Sequence, residues 1–352
     1  MACKLYKICK FRKKVWWLIQ KMKDDLEKKV EDTIKKYHMI QPQDKIVVAV
    51  SGGSDSITLL SVLNNLRTKY NLDLVVAHVN HKIRKEAIID EEYVQEFCNK
   101  INVEFFVKSI DVKELANNNK IGLEEAGRNV RYDFFEEVLE KTNSNKIAIA
   151  HNKNDSVETI IMNIFRGTGV QGIKGIEPIK DNKFIRPLIE CEKSEIEKYC
   201  EIKKLNPKID KTNFENDYTR NKIRNVVIPY IKKEFNPNII STITRLSEVI
   251  NRDDEYLNKV TKEKYLNLLI EKKDTEIILN LKEFNLLEKS IKSRLIIYII
   301  TQLLGSSKNI EKVHIDDIMK LCENNIGNKY LTPNKNIKVF VKKHKIFFIK
   351  QI

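Results

Sequence analysis

The sequence predicts an α/β fold: a doubly wound, mostly parallel sheet followed by a smaller helical domain. Three observations carry this. Short continuous apolar runs at 46–50, 74–79 and 147–150 are of the kind buried on both faces of a parallel sheet. Stretches with apolar residues at helical spacing separate them, so strand and helix alternate. Beyond about residue 230 the strand-like runs become scarce and the helical period takes over.

Taken in order, Leu26, Val30, Ile34 and Tyr37 recur at helical spacing, and Pro42 breaks the chain after them. The first strand, 46–50, is followed by a helix marked by Leu59, Leu60, Leu63 and Leu66. The second strand is 74–79, a helix spans 90–100, and the third strand is 103–107. A long helix covers 124–141, the fourth strand is 147–150, and 155–165 is the next helix. Later, Ile239, Ile243, Leu246 and Ile250 keep a helical period, as do Ile291, Leu295 and Ile299, and 337–349 alternates as a short β-hairpin would. The expected organisation is a basic extension at 1–21, an α/β domain at 22–230, a helical domain at 231–330 and a hairpin tail at 331–352.

The chain has 352 residues, 42% of them apolar, enough for a sizeable core and too many for intrinsic disorder. Lys plus Arg number 64 against 49 Asp plus Glu, a net charge of +15. That excess suggests a polyanionic partner, nucleic acid first, with a solvated lysine-rich surface as the alternative. The six cysteines, at 3, 9, 98, 191, 200 and 322, form no CxxC pair. A disulfide framework and a zinc ribbon are therefore disfavoured, and a reducing, cytoplasmic location is expected. No apolar run approaches the roughly 18 residues of a membrane span. Residues 1–21 carry seven basic side chains and no acidic one, and the apolar patch at 15–19 is too short for a secretory signal. We expect sequence upstream of a start at Met22, or a dispensable tail, rather than a targeting or nucleic-acid-binding arm.

The chemistry concentrates at strand ends. Ser51-Gly52-Gly53-Ser54-Asp55-Ser56 follows the first strand directly. Glycines at a strand-to-helix turn let backbone N–H groups approach a phosphate, and the helix start adds partial positive charge. Asp55 is an odd neighbour for phosphates unless a magnesium ion lies between them. The segment lacks the Walker lysine, which disfavours a P-loop NTPase. Three of the six histidines, His78, His81 and His151, sit at or just past the carboxyl ends of predicted strands, where open α/β sheets bind ligands; strand-end packing is the alternative. Asp155 and Glu158 share one side of a helix start just after His151, placed to capture an ammonium group or simply to suit the helix dipole. Arg220 and Arg224, four apart, suit phosphate contact or solvation.

The Ser51–Ser56 segment after an apolar strand resembles the pyrophosphate loop of the N-type ATP pyrophosphatases. Further segments narrow the resemblance. They are His78-Val79-Asn80-His81 with Arg84 and Asp90; Glu125-Ala126-Gly127-Arg128 with Arg131-Tyr132; Ala150-His151 with Asp155, Glu158 and Thr159; Arg166-Gly167-Thr168-Gly169; Arg186-Pro187-Leu188; and Asp210, Asn213, Tyr218-Thr219-Arg220-Asn221 with Arg224. In this order and spacing they resemble the tRNA(Ile)-lysidine synthetases, over about residues 45–230. Three positions depart from the family's habit: Gly127 replaces alanine, Asn154 an aspartate and Ser156 a glutamine. The chain also ends soon after the helical domain, where many relatives carry a further domain that helps hold the tRNA acceptor stem.

The resemblance implies an adenine nucleotide alpha hydrolase-like fold that binds ATP at residues 51–56, with magnesium held in part by Asp55. It implies His78 and Arg128 at the nucleotide, His151, Asp155 and Glu158 beside Asp55 in catalysis, and Asn80, His81, Arg131, Arg166, Arg220 and Arg224 toward lysine and tRNA. The implied partners are tRNA(Ile) with a CAU anticodon and free lysine, with no membrane; a homodimer is left open. The implied reaction adenylates the wobble cytidine and then displaces AMP with lysine to give lysidine, the basic helical domain gripping the tRNA. The rivals are a tRNA thiolase, which the scattered cysteines disfavour, a small-molecule ligase, which would not require net +15, and a non-catalytic nucleotide-binding module that docks on RNA.

Overall fold

Strand β1 (Lys45–Ala49) is apolar along its length because both of its faces are covered. Ile46 and Val48 belong to one core and Val47 and Ala49 to another, the alternation expected of a central strand. The computed structural model describes residues 25–82, 87–208, 219–307, 309–324 and 329–351. The extension at 1–21 and Arg84, Asp210, Asn213 and Tyr218 lie outside the described residues.

β2 (Asp73–Asn80), β3 (Glu104–Ser109) and β4 (Lys146–Ala148) run parallel to β1. β5 (Ile179–Lys180) is antiparallel to β6 (Phe184–Ile185), which is parallel to β4. The strand order β3-β2-β1-β4-β6-β5 makes β1/β4 the switch point: the chain proceeds from β1 to β2 on one side and from β4 to β6 on the other. The first-face core joins the helix at 25–36 (α1) with α2 (Ser54–Tyr70), α3 (Ala87–Ile101) and α8 (Lys193–Lys203). α5 (Leu123–Lys141) covers the other face through Phe134, Phe135 and Val138, and α4 (Val112–Asn119) packs on α5 through Val112, Ala116 and Ala126.

After β4, α6 (Lys153–Phe165) packs through Val157 and Ile161 against Ile223, Ile228 and Ile240. α7 (Val170–Ile173) lies in the glycine-rich loop that follows α6. Gly175, at φ +74°, needs to be glycine: a Cβ there would come within 2.3 Å of Ser156 Oγ on α6, which accepts from Ile176 N–H. α9 (Thr219–Lys222), a π-turn at Ile223–Val227 and α10 (Ile228–Glu234) complete this part before α11 (Ile239–Leu268) begins.

Contacts divide the chain into two units, with the boundary after Glu248, inside α11. In the second unit α12 (Leu281–Asn285), α13 (Lys289–Leu304) and α14 (Lys312–Glu323) share a core with a five-stranded antiparallel sheet. Its order is β7-β8-β11-β10-β9. The terminal alternation at 337–349 is the hairpin of β10 (Ile337–Lys342) and β11 (Lys345–Lys350). The sheet is larger than that alternation indicates: β7 (Leu269–Lys272), β8 (Glu276–Asn280) and β9 (Tyr330–Asn334) extend it, so this unit is α+β. Among the described residues no helix is long and apolar enough to cross a membrane, and Cys98, Cys191, Cys200 and Cys322 are buried free thiols.

Candidate active site

The segment after β1 is shaped from within. Val50 N–H donates to Ala77 O (3.0 Å), prolonging the sheet register by one residue. Gly52 takes φ +90°, a conformation that L side chains rarely adopt. Ser56 Oγ donates to Gly53 O (3.0 Å) and accepts from Ser51 N–H (3.1 Å); it lies 3.2 Å from Ser51 Oγ. The buried Ser56 hydroxyl is thus spent on the turn itself. Gly53 is the N-cap of α2 and offers no side chain to the first-turn N–H groups, so these point out as anion donors.

Asp55, in that first turn, is held from two elements. Asn152 Nδ2 donates to Asp55 Oδ1 (3.2 Å), and Lys193 Nζ lies 2.8 Å from Asp55 Oδ2 and 2.8 Å from Ser54 Oγ. Burial raises the Asp55 carboxyl above the usual range, and Lys193 opposes that rise.

The β2 end contributes through contacts to the backbone. His78 Nδ1 is 2.8 Å from Val50 O; a carbonyl only accepts, so Nδ1 carries the proton. Burial lowers its pKa, leaving a neutral ring with the lone pair on Nε2. His78 therefore pins the residue just before Ser51. Asn80 is buried, with its amide committed to Glu91 Oε2 (2.9 Å) and Lys82 N–H (3.0 Å). His81 is pushed down to about 4, first by burial and then by Arg131, and its buried Nδ1 has no hydrogen-bond partner. Gly127 backs onto that ring: a Cβ there would lie 3.7 Å from His81 Cε1, ordinary contact, so alanine would also fit.

The β4 end holds the opposite tautomer. Arg186 is buried, and its Nε donates to His151 Nδ1 (3.1 Å) while Nη1 donates to Glu177 O (2.6 Å). A guanidinium has no acceptor, so the neutral His151 ring carries its proton on Nε2. Burial, then Arg186 and Arg220, hold its pKa well below the ordinary histidine value, against the pull of Asp155. His151 is a hydrogen-bond donor here, not a base. Arg186→Met is expected to raise the His151 pKa part of the way back, because burial remains. An NMR titration of the imidazole C–H resonances would show it, and an unchanged or lower value would contradict the assignment.

α6 begins with a capping box: Asn152 Oδ1 accepts from Asp155 N–H (3.0 Å) and Asp155 Oδ2 from Asn152 N–H (2.9 Å). Asp155 and Glu158 are not open carboxylates. Arg220 Nη2 (3.1 Å) and Arg224 Nη2 (2.9 Å) both reach Asp155 Oδ1. Glu158, 2% exposed, accepts from Arg220 Nε (3.1 Å), Arg224 Nε (2.7 Å) and Arg224 Nη2 (2.7 Å). The acids read as an ammonium trap and the arginines read as phosphate contacts thus form one neutral cluster. The π-turn that starts at Ile223 separates the two arginines, a distortion common at functional sites.

The remaining expected residues are more dispersed. Arg128 is exposed and lies over the Tyr132 ring (4.7 Å), and exposed Arg131 donates to Gly127 O (3.3 Å). Arg166 caps the far end of α6, roughly 16 Å along the helix from Asp155. The structure does not bring it to the Asp55 region. Two residues that the sequence reading did not single out, Asn152 and Lys193, contact Asp55 directly. The Asn152-x-x-Asp155 capping box was a readable sign of the first. A lysine in the first turn of a helix, against the dipole, was the sign of the second.

Comparison with known proteins identifies the family of the fold. The family model described as PP-loop domain matches residues 22–231. The tRNA(Ile)-lysidine synthase of Clostridium acetobutylicum is 50% identical over 306 residues, 87% of this chain and 66% of that protein. That of Clostridioides difficile is 46% identical over 319 residues, 90% of this chain and 69% of that protein. The chain thus spans about two thirds of the length of the curated relatives that it matches, just under that for the first. Among solved structures, the U34-tRNA thiolase of Methanococcus maripaludis aligns with a TM-score of 0.57 at 18% identity, over 66% of this chain and 80% of that one, a likeness of fold. The PP-loop match over the whole first sheet, together with near-full coverage of this chain by close relatives, places it in the tRNA(Ile)-lysidine synthase family.

Proposed function

We propose that this chain uses ATP to ligate lysine to C2 of the wobble cytidine of a CAU-anticodon tRNA(Ile). The observation that carries the reading is the meeting, at the β1/β4 switch point, of the uncapped Ser51–Ser56 turn with Asp55, Asn152 and the start of α6. Cytidine O2 attacks the α-phosphorus of ATP and pyrophosphate leaves. The lysine amine then attacks C2, AMP departs with that oxygen, and the surplus proton of the amine passes to solvent.

The residues do positioning and electrostatic work. The α2 amides and Ser54 face the phosphates, while Ser56 and His78 hold the turn that aims them. His151, neutral and protonated on Nε2, donates to negative charge developing on phosphate. Asp155 and Glu158 offer the lysine ammonium a site for which Arg220 and Arg224 are the standing competitors. Magnesium fits this chemistry: Asp55 supplies a partly exposed carboxylate in the first turn of α2, beside the uncapped amides. The ion would be held by Asp55 with the phosphates and would neutralise their charge.

A thiolase reading finds no support in the four cysteines among the described residues. Burial pushes the Cys98, Cys191 and Cys322 thiols up to about 12, and Cys200 also upward, far from the thiolates that sulfur transfer needs. Buried free thiols suit a reducing cytoplasm. The test is to incubate the full chain with CAU-anticodon tRNA, ATP, magnesium and labelled lysine. Label should enter the tRNA as AMP is released. If AMP appears with another acceptor while the tRNA stays unlabelled, the acceptor assignment fails; if no AMP forms with any acceptor, the catalytic reading fails.

A further inference from the structure

We propose that Tyr93 is a positioning residue for the turn after β1. Acting through residues 205–208, it fixes the peptide plane between Gly52 and Gly53 and so sets which way the Gly53 N–H points. The proposal rests on the ATP-binding part of the function above and is independent of the acceptor.

The chain of contacts is short. Tyr93, on α3, donates its hydroxyl to Leu205 O. Lys208 N–H then donates to Gly52 O (3.0 Å), and the Lys208 ammonium lies 5.6 Å from the centre of the Tyr93 ring. α3 also touches the turn directly: a Cβ on Gly52 would lie 3.6 Å from Asp90 Cβ and 3.6 Å from Val94 Cγ2. In a trans peptide the C=O and N–H of one plane point opposite ways. Holding Gly52 O toward Lys208 therefore turns the Gly53 N–H the other way, and among the described residues no protein acceptor takes it.

That plane needs holding. Gly52 stands at φ +90° and Gly53 at φ −76°, and a flip of the peptide between them rotates ψ of the first and φ of the second. With no Cβ on either residue, both orientations are open at little steric cost. The flipped state would face an anion with a carbonyl oxygen in place of an N–H. Ser56 and His78 hold the neighbouring planes, through Ser51 N–H, Gly53 O and Val50 O, and leave this one untouched. Both ends of the link are anchored. Burial pushes the Tyr93 phenol up to about 12, so it stays a donor at neutral pH. Leu205 N–H donates to Cys200 O (3.0 Å), and its side chain packs on the first-face core.

The full chain, isotope-labelled at its ten glycines, would be compared by NMR with Tyr93→Phe, Lys208→Pro and Lys208→Ala, without ligand and during titration with inorganic pyrophosphate. Tyr93→Phe keeps the ring and loses the hydroxyl; Lys208→Pro removes the backbone N–H, and Lys208→Ala retains it. Without ligand, the Gly53 amide signal should broaden or double in Tyr93→Phe and Lys208→Pro, while glycines outside the turn keep the parent's positions. Pyrophosphate should bind these two variants about 3- to 10-fold more weakly, the worth of one hydrogen bond, and at saturation should restore a single Gly53 signal. The KM for ATP should rise by the same factor with kcat within about twofold, because bound ATP itself selects the competent plane. Lys208→Ala should weaken pyrophosphate less than Lys208→Pro. A sharp Gly53 signal at the parent's position in both variants, or pyrophosphate affinity equal to the parent's, would overturn the proposal. Should Lys208→Pro not fold, Tyr93→Phe carries the test alone. A parent that binds no pyrophosphate would sink the ATP reading instead, and the ligand-free Gly53 signals would still decide the role of Tyr93.

Discussion

Asp55→Asn is expected to slow pyrophosphate release from ATP about a hundred- to a thousandfold while leaving tRNA binding within about threefold. The carboxylate stands in the first turn of α2, between Asn152 Nδ2 and Lys193 Nζ. An asparagine keeps the shape and one acceptor for Asn152, but loses the charge and the acceptor oxygen that faces Lys193 Nζ. The stability effect should run the other way. Burial raises the Asp55 pKa in the fold. A carboxyl whose folded pKa exceeds its unfolded value contributes stability that is complete below the unfolded value and is lost as pH rises through the folded one. At neutral pH the ionised side chain therefore costs stability, and Asp55→Asn should raise the thermal midpoint. Loss of activity with a higher midpoint marks a carboxylate kept for chemistry. A lower midpoint with activity retained would make Asp55 a structural residue.

The parallel core was legible because its strands are buried on both faces. Runs such as 46–50 and 74–79 leave a continuous apolar trace that no exposed strand would leave. β5 and β6 were not, since two residues each cannot show a period. β8 was hidden for a related reason: Ile277, Ile278 and Leu279 are three buried residues placed shortly after a helix of 30 residues, and three positions do not separate period 2 from 3.6. In the site, residues adjacent in sequence were readable as a set, because glycines, histidines and capping residues at strand ends have few other uses. Pairings across the chain were not. Nothing local to Arg220 or Arg224 announces carboxylates 62 to 69 residues earlier, and nothing local to Ser54 announces Lys193. Periodicity reports which face a residue occupies, while partner choice is set by where the folded elements cross.

Glu158→Gln should produce the largest loss of stability of any single change at the site, about 3 kcal/mol, at the low end of the 3–5 kcal/mol for stripping one partner from a buried pair. Glu158 is 2% exposed and accepts three of the five hydrogen bonds that Arg220 and Arg224 make to the two acids. Gln keeps the volume but leaves two guanidinium groups sharing the single charge of Asp155. The side chain of Arg224 is 37% exposed, so water screens part of the imbalance and sets the lower figure. Arg224→Met should cost less, because Arg220 still neutralises much of the acid charge. In a double-mutant cycle the two changes should fall short of additive by roughly 1–3 kcal/mol. Function separates the roles of the four residues. If the acids receive the lysine ammonium, Glu158→Gln raises the KM for lysine at least about tenfold with the KM for ATP unchanged, and Arg224→Met, by removing a competitor, does not raise it. If both variants lose stability alone, with both KM values at the parent's level, the cluster is a clamp between α6 and the π-turn and the ammonium is bound elsewhere.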